Sequence, residues 1–369
     1  MPLLNQVDDP RDKARTTYES KAILFTRIIS GVFMYSSMRK MTVGLNDGNT
    51  VHNVSFMLNQ PELEVLPHYS TINNYLEKLD PNELQTIIQK ILMRLIKMSE
   101  FKDGRFRNRY WQIIVDGVKL VETDEEHSVG ALFKVHRNKE DKSIAWVEYY
   151  YYALEAKILL PNGIVISVCT VFAENDKELS PYDDDVEGEE KKKQDCEIKA
   201  FYRMQAELKK LFGNMNICLS MDSLYACEPV LEICMTNNWK YMIRLKEGRI
   251  KSVVKEFEKA VNNKPSNYQE FSSNGNKEKY EFINGVMYRG YHLSMVRYRE
   301  EGRKHPFLFI TNMPISKKNC ADFVVRARAR WKIENEGFNN QKNHGYELTH
   351  KFSLNYICVS LTHKIPKDI

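Results

Sequence analysis

Apolar side chains recur with helical spacing over the first hundred or so residues. One such face consists of Ile23, Leu24, Ile28, Ile29, Val32 and Phe33, which predicts an amphipathic helix. Ser70 is a plausible N-cap for a second helix, and Asp80-Pro81 ends that helix and opens a third. The third carries an apolar stripe that must be buried against other helices or a partner subunit, formed by Leu84, Ile87, Ile88, Ile91, Leu92, Leu95 and Ile96. The pattern predicts an N-terminal helical domain over residues 1–105.

From Trp111 onwards the apolar pattern is typical of strands. Segments 112–115, 146–160 and 164–172 predict three strands that pair antiparallel, with Asn162-Gly163 as a turn. Apolar runs then alternate as helix, strand, helix and strand between about 198 and 245. Such alternation after hairpins predicts an α/β fold, a mixed sheet with helices on both faces, whose first part spans 106–248.

The alternation stops between Arg249 and Ser316. One helix is followed there by β-like segments at 279–282, 291–298 and 307–311, so we expect a β-rich insertion over 249–316. A helix from about Ala321 to Gln341 then resumes the main domain over 317–350, and 351–369 form a short tail. The acidic loop around 183–190 has the composition of solvated surface.

Two aspartates follow apolar runs that predict strands. Asp116 is expected to end the strand before Gly117, and Asp222 ends the run 217–221 before Ser223. In open α/β sheets, ligands bind at the carboxyl edge of the strands. The pair therefore predicts a candidate metal site, although either aspartate alone could instead cap a helix or satisfy a turn.

The most specific segment runs from 326 to 342, with Glu334 near its middle and Arg330 one turn before it. It resembles the glutamate-bearing helix of DDE transposases of the broad IS4-like group. Asp116-Gly117 resembles the first aspartate strand of that group and Met221-Asp222-Ser223 the second, and the similarity extends from about Tyr110 to His350. The group's helix joins a Tyr, an Arg, the Glu and a basic residue. Two positions depart from it: Ala327 stands at the tyrosine position, and Gln341 at the basic one, with Lys342 next.

The resemblance implies an RNase-H-like catalytic core and a transposase that cleaves and joins DNA at the ends of an insertion sequence. Asp116, Asp222 and Glu334 would be catalytic, and they would bind two Mg²⁺ ions, for which Mn²⁺ could substitute. Three converging carboxylates repel each other unless hard cations occupy the site. Arg330, and less clearly Lys342, would contact phosphate near the scissile bond.

The implied partners are the DNA of the element ends and the target DNA, with a homodimer expected in the DNA complex. The N-terminal domain is the candidate for end binding and dimerisation. Helices between about His52 and Leu79 could form a helix-turn-helix-like reader there, or simply pack together.

A short basic segment precedes the first predicted strand. Arg105, Arg107 and Arg109 are interleaved with aromatic residues, a mixture suited to gripping DNA phosphates and equally typical of a solvated linker. Overall charge does not decide between them, because 54 basic residues stand against 49 acidic ones, for a net charge of +5.

Two other functions remain open. An RNase-H-like nuclease that cuts without joining would use the same carboxylates, and an inactive transposase-derived DNA-binding protein is suggested by the short tail after His350.

The histidines lack metal-ligand spacing. Seven cysteines without a CxxC pair favour reduced thiols, and no apolar run reaches the roughly 18 residues of a membrane span. A cytoplasmic protein is therefore expected, nucleoid-associated if bacterial.

Overall fold

The computed structural model describes residues 2–35, 37–127, 130–160, 163–176, 179–182, 193–246, 248–275 and 277–343. The acidic loop at 183–190, the tail at 351–369 and two histidines, His344 and His350, lie outside these residues. Within them, no helix has the length and apolar composition that crossing a bilayer requires. The six cysteines among the described residues are free thiols.

The N-terminal segment is helical, as its periodicity predicts. Its helices are α1 (Ser20–Val32), α2 (Met38–Gly44), α3 (Gly48–Leu58), α4 (Tyr69–Leu76) and α5 (Pro81–Lys97). Asp80 caps α5 by accepting a hydrogen bond from the Asn82 amide at 2.9 Å, which confirms the predicted start. The N-cap of α4 is His68, not Ser70: the imidazole accepts from the Ser70 amide, and the helix begins two residues earlier than predicted.

The predicted helix pair between His52 and Leu79 has the wrong spacing for a helix-turn-helix. Residues 59–68 separate α3 from α4, whereas such a motif has a turn of about 3–4 residues. The short connection is the one before it, where residues 45–47 join α2 to α3. A helix-turn-helix motif in this domain would therefore have to consist of α2 and α3.

The apolar stripe of α5 is buried, and it joins two cores. Leu84 and Ile87 pack with α1, α3 and α4, whereas Leu92 and Ile96 pack against the sheet. Beside them, the Gln85 side chain accepts a hydrogen bond from the Thr170 amide at 2.9 Å. Helix α5 thereby connects the N-terminal helices to the rest of the chain.

One sheet contains the ten strands found among the described residues between Trp111 and Thr311. They are β1 (Trp111–Thr123), β2 (Leu132–Arg137), β3 (Ile144–Leu159), β4 (Val165–Ala173), β5 (Ile217–Met221), β6 (Lys240–Leu245), β7 (Tyr268–Ser273), β8 (Glu278–Tyr288), β9 (Tyr291–Glu300) and β10 (Phe307–Thr311). Their order is β2-β3-β1-β5-β6-β10-β9-β8-β7, and β4 also pairs with β3. Strands β5 and β6 run parallel to β1, and the other pairings are antiparallel. The predicted mixed α/β fold is confirmed.

The β-like segments after Arg249 do form strands, preceded by helix α8 (Lys251–Asn263). They continue the central sheet, because β10 pairs with β6 through Ile310 and Ile243. The early hairpins also contain β2, a strand that the sequence did not predict.

Helices cover both faces of the sheet. Alternate residues of β1 face opposite sides: Ile113 and Val115 pack with α6 (Glu197–Phe212) and α7 (Glu228–Thr236). Ile114, between them, packs with Ile333 and Phe338 from the last helical segment. That segment begins as α9 (Cys320–Arg328) and ends as α10 (Asn339–Asn343), close to the predicted 321–341. Its face of the sheet is also the face of Asp116, because positions 114 and 116 point to the same side.

Candidate functional site

The pairing of β1 with the parallel strand β5 brings Asp116 near Asp222. Ile114 of β1 is level with Ser220 of β5, and continuing this register by two residues makes Asp116 level with Asp222, the residue that follows β5. Neighbouring strands are about 5 Å apart. The two aspartates therefore lie side by side on the face covered by α9.

Only one of the two aspartates ends its strand. Asp222 follows the last residue of β5 as predicted, and its carboxylate accepts a hydrogen bond from the Leu224 amide at 2.7 Å. The prediction that Asp116 ends a strand is wrong, because β1 continues to Thr123. The residues after Gly117 keep pairing with the long strand β3, so Asp116 lies in mid-strand beside the point where β5 stops.

Arg330 joins Asp116 to Glu334. Its guanidinium donates to Asp116 Oδ2 at 2.6 Å and to Glu334 Oε1 at 2.7 Å. Arg330 is only 8% exposed, and its contact with β1 distinguishes it from a simple i,i+4 ion pair with Glu334 on the helix surface. Two carboxylates separated by more than two hundred positions thus meet on one buried cation.

The third carboxylate belongs to the same electrostatic neighbourhood. Burial raises the pKa of Asp116 to about 7; Arg330 opposes this increase, and Glu334, Glu197 and Asp222 add to it. The pKa of Glu334 lies below its ordinary value despite burial, because Arg330 donates to it and attracts its charge. Asp116 therefore keeps its proton to a higher pH than an ordinary aspartate, whereas Glu334 ionises more readily than an ordinary glutamate.

We expect Asp116→Asn to stabilise the metal-free protein increasingly as pH rises from about 5 to 8. An unfolded aspartate loses its proton near its ordinary pKa of 3.8, whereas folded Asp116 retains it until about pH 7. In that window the folded state binds more protons, so the wild type loses free energy of unfolding as pH rises. Asparagine does not titrate and escapes this loss. Denaturant unfolding of both proteins at several pH values measures the difference.

A matched control is Asp141→Asn. Asp141 is exposed, and its pKa lies below the ordinary value because Ser143 donates to it. The Asp141 carboxyl has therefore lost its proton in both the folded and the unfolded state by about pH 5. Above that pH, the difference in free energy of unfolding between this variant and the wild type should stay constant. A wild type that gained stability over Asp116→Asn with rising pH would contradict the raised pKa.

Glu197, in the first turn of α6, also belongs to this neighbourhood. Its carboxylate accepts from the hydroxyls of Tyr152 at 2.5 Å and Tyr225 at 2.7 Å. Burial and this carboxylate both raise the pKa of each tyrosine, which keeps the two hydroxyls protonated as donors.

Gly117 is required by the same arrangement. A Cβ at that position would overlap the Tyr152 hydroxyl, so only glycine lets the tyrosine cross β1 to reach Glu197. At the start of α6, Cys196 is the N-cap residue, while Asp195 accepts from the Cys196 amide and pairs with Arg203 at 2.6 Å.

The segment carrying Glu334 is not a regular α-helix. A 3₁₀ turn at Ala329–Trp331 is followed by a π-helix at Ile333–Phe338. Its i→i+5 hydrogen bonds accommodate one extra residue in the turn. The 3₁₀ turn overwinds the segment and the π-helix underwinds it, so positions 341 and 342 do not follow the angles of a straight α-helix. Gln341, at the expected basic position, is buried at 2% exposed, and Lys342 is half-buried beside it.

The basic segment before β1 packs against its own aromatic residues. The guanidinium carbon of Arg107 lies 4.9 Å from the centre of the Phe106 ring, that of Arg109 5.3 Å from Tyr110, and that of Arg105 5.9 Å from Trp111. Arg326 of α9 donates to the Gly104 carbonyl at 3.3 Å, which holds the segment beside the last helix. The contacts favour a fixed structure over a solvated linker.

The site's fit to metal ions is mixed. Its donors are carboxylate oxygens, the ligands that Mg²⁺ prefers. Within the described part of the chain, however, no three His, Cys, Asp or Glu side chains are grouped so that they could hold one ion. The reason is Arg330, whose guanidinium occupies the space between Asp116 and Glu334.

No family model matches this chain, and no curated protein matches it.

Proposed function

We propose that this protein is a DDE transposase with an RNase-H-like core, which cleaves DNA at the ends of an insertion sequence and transfers the strands. One observation carries the proposal: the β1–β5 register, continued by two residues, brings Asp116 beside Asp222, and Arg330 connects Asp116 to Glu334. The side chains that resemble the family's three carboxylates come from β1, from the residue after β5 and from the π-helix packed on that face of the sheet.

Strand order supports the RNase-H-like part of the proposal. Strands β1, β3 and β4 form the antiparallel part, and β5 and β6 lie on the other side of β1, parallel to it. In chain order, β1, β3 and β4 form a three-stranded antiparallel meander, and β2 lies between β1 and β3 in the chain and pairs with β3. The parallel strands β5 and β6 follow, connected through helices. Both aspartates then lie on the two strands where the antiparallel and parallel parts meet.

Asp116, Asp222 and Glu334 would hold two Mg²⁺ ions, with Mn²⁺ as a substitute. Bound there, such ions would supply Lewis-acid chemistry, activating an attacking water or 3′-hydroxyl and stabilising the leaving oxygen at phosphorus. Arg330 would have to release at least one carboxylate to make room for them. Its guanidinium would then be available to bind a phosphate oxygen in bidentate fashion, and Lys342 is the second cation proposed to contact phosphate.

The proposed partners follow from the reaction. Joining requires the element ends and target DNA, and pairing two ends suggests a homodimer in the complex. End recognition falls to the N-terminal helices, where α2 and α3 are joined by a short turn.

Strand transfer by the purified protein tests the proposal. DNA flanking the coding region is labelled and incubated with protein and Mg²⁺, together with an unlabelled plasmid target. Cleaved ends and labelled target are both expected. Cleavage without labelled target would replace the proposal by a nuclease, and binding without cleavage would replace it by a transposase-derived DNA-binding protein.

A further inference from the structure

Three arginines surround one phenyl ring beside the carboxylates. The guanidinium carbons of Arg303, Arg244 and Arg328 lie 4.6, 4.8 and 4.9 Å from the centre of the Phe307 ring. Arg328 also lies 5.3 Å from the ring of Tyr298. We call Arg244, Arg303, Arg328 and Phe307 the arginine cluster.

The cluster lies at the same edge of the sheet as the aspartates. Ser220 of β5 is level with Met242 of β6, so Asp222 is level with Arg244 two residues further on. Phe309 on the next strand, β10, is opposite Arg244, and Phe307 lies two residues away towards the strand's beginning. With strands about 5 Å apart, the cluster begins roughly 10 Å from Asp116 and ends near 15 Å.

Three cationic side chains lie close together in the cluster, and two of them share one carboxylate. Glu300 lies 3.5 Å from Arg303 and 3.4 Å from Arg328. Burial lowers the pKa of Arg244, the proximity of Arg330 and Arg303 lowers it further, and Glu334 and Asp222 oppose this decrease. Like charges that are held together without matching anions cost free energy in the absence of a ligand. Packing against aromatic residues needs one guanidinium over the ring, not three.

Two of the three guanidinium groups are accessible to a ligand. The side chains of Arg303 and Arg328 are 48% and 31% exposed, whereas Phe307 is 9% exposed. The ring is therefore covered by the arginines and cannot stack on a base. What remains is a row of cationic donors suited to phosphate oxygens.

We propose that the arginine cluster binds the phosphodiester backbone of DNA next to the phosphate that reacts at the carboxylates. The inference rests on the proposed function and adds a backbone site to it. A DNA strand carries one phosphate per about 3.4 Å of helix axis, so the cluster is about three to four nucleotides from Asp116. Because the contacts are to phosphate alone, the site contributes affinity without sequence preference.

Salt-dependent binding of a labelled 30-base-pair DNA duplex, measured by fluorescence anisotropy without divalent ions, tests the inference. Arg303→Gln and Arg328→Gln should each weaken binding several-fold at 100 mM salt, equally for unrelated sequences. Each should also reduce the slope of log affinity against log salt by about one. Glu300→Gln should have the opposite effect and tighten binding, which no loss of folding could produce.

Arg289→Gln is the matched control. Arg289 also pairs with a carboxylate, Glu228, at 2.6 Å and is 64% exposed, but it lies at the other end of β9. For Arg289→Gln, the slope of log affinity against log salt should equal that of the wild type. If the wild type bound without salt dependence, the proposed function would fall. If it bound normally and Arg303→Gln, Arg328→Gln and Glu300→Gln all behaved like Arg289→Gln, only the arginine cluster would be refuted. Tighter binding of an RNA duplex of the same sequence would overturn the assignment to DNA.

Discussion

Asp116→Asn, Asp222→Asn and Glu334→Gln are each expected to reduce DNA strand cleavage by about 1000-fold or more, because each removes an anionic oxygen from a site that functions as one unit. The substitutions preserve side-chain size, so the change is in charge. Single-turnover cleavage of labelled flanking DNA with Mg²⁺ measures the effect. Binding of the same DNA should persist, since the phosphate contacts belong to other residues.

Glu336→Gln provides the matched control on the same segment. Glu336 lies two residues from Glu334 in the π-helix and pairs with Lys332 at 2.7 Å. The same substitution there should leave cleavage within about twofold of the wild type, as is usual for an exposed ion pair.

Combining the substitutions distinguishes a shared site from independent effects. Asp116→Asn with Glu334→Gln should be no slower than either alone, because residues that act together give losses far below the sum of the single ones. Cleavage that survived any single substitution, or losses that multiplied, would mean that the carboxylates do not act on one reacting group.

Local sequence pattern was sufficient where a feature depends on neighbouring residues. The apolar run before Asp222 ends where β5 ends, and Asp80-Pro81 marks the start of α5. Asp116 shows where local pattern is misleading. Gly117 resembles a strand terminus, but it serves to let Tyr152 pass, and β1 continues because β3 is long enough to pair with it.

Contacts between distant segments could not be predicted in this way. Nothing near Arg330 in the sequence indicates that it reaches Asp116, and the pairing of β10 with β6 depends on a partner more than sixty positions away. Glu197 illustrates the same limit. Its position in the first turn of α6 suggested a dipole interaction, while its two tyrosine partners come from β3 and from the turn after β5.

Replacing Lys157 should be among the most destabilising single changes in the protein. Lys157 and Glu155 pair at 3.0 Å with side chains 0% and 1% exposed, and Ser167 donates to Glu155 at 2.6 Å. Lys157→Met leaves the Glu155 carboxylate buried without this cation, which typically costs about 3–5 kcal/mol. Denaturant unfolding at neutral pH measures the loss.

The companion variant is Glu155→Gln with Lys157→Met. Removing both charges also removes the cost of burying them, so the double variant should recover most of the stability that Lys157→Met loses. Equal destabilisation of the single and double variants would show that Lys157 acts by packing, through its contact beneath Gly337, and not by charge.

The position of this pair connects its stability to the site. Glu155 is opposite Asp116 in the β1–β3 register, and Lys157 lies under the π-helix that carries Glu334, with its Nζ 5.8 Å from the centre of the Phe338 ring. If the pair supports the π-helix only as a packed surface, the double variant should cleave DNA at nearly the wild-type rate. If its charges help to set the charge of Asp116, cleavage should fall and its pH dependence should shift, even though stability is restored.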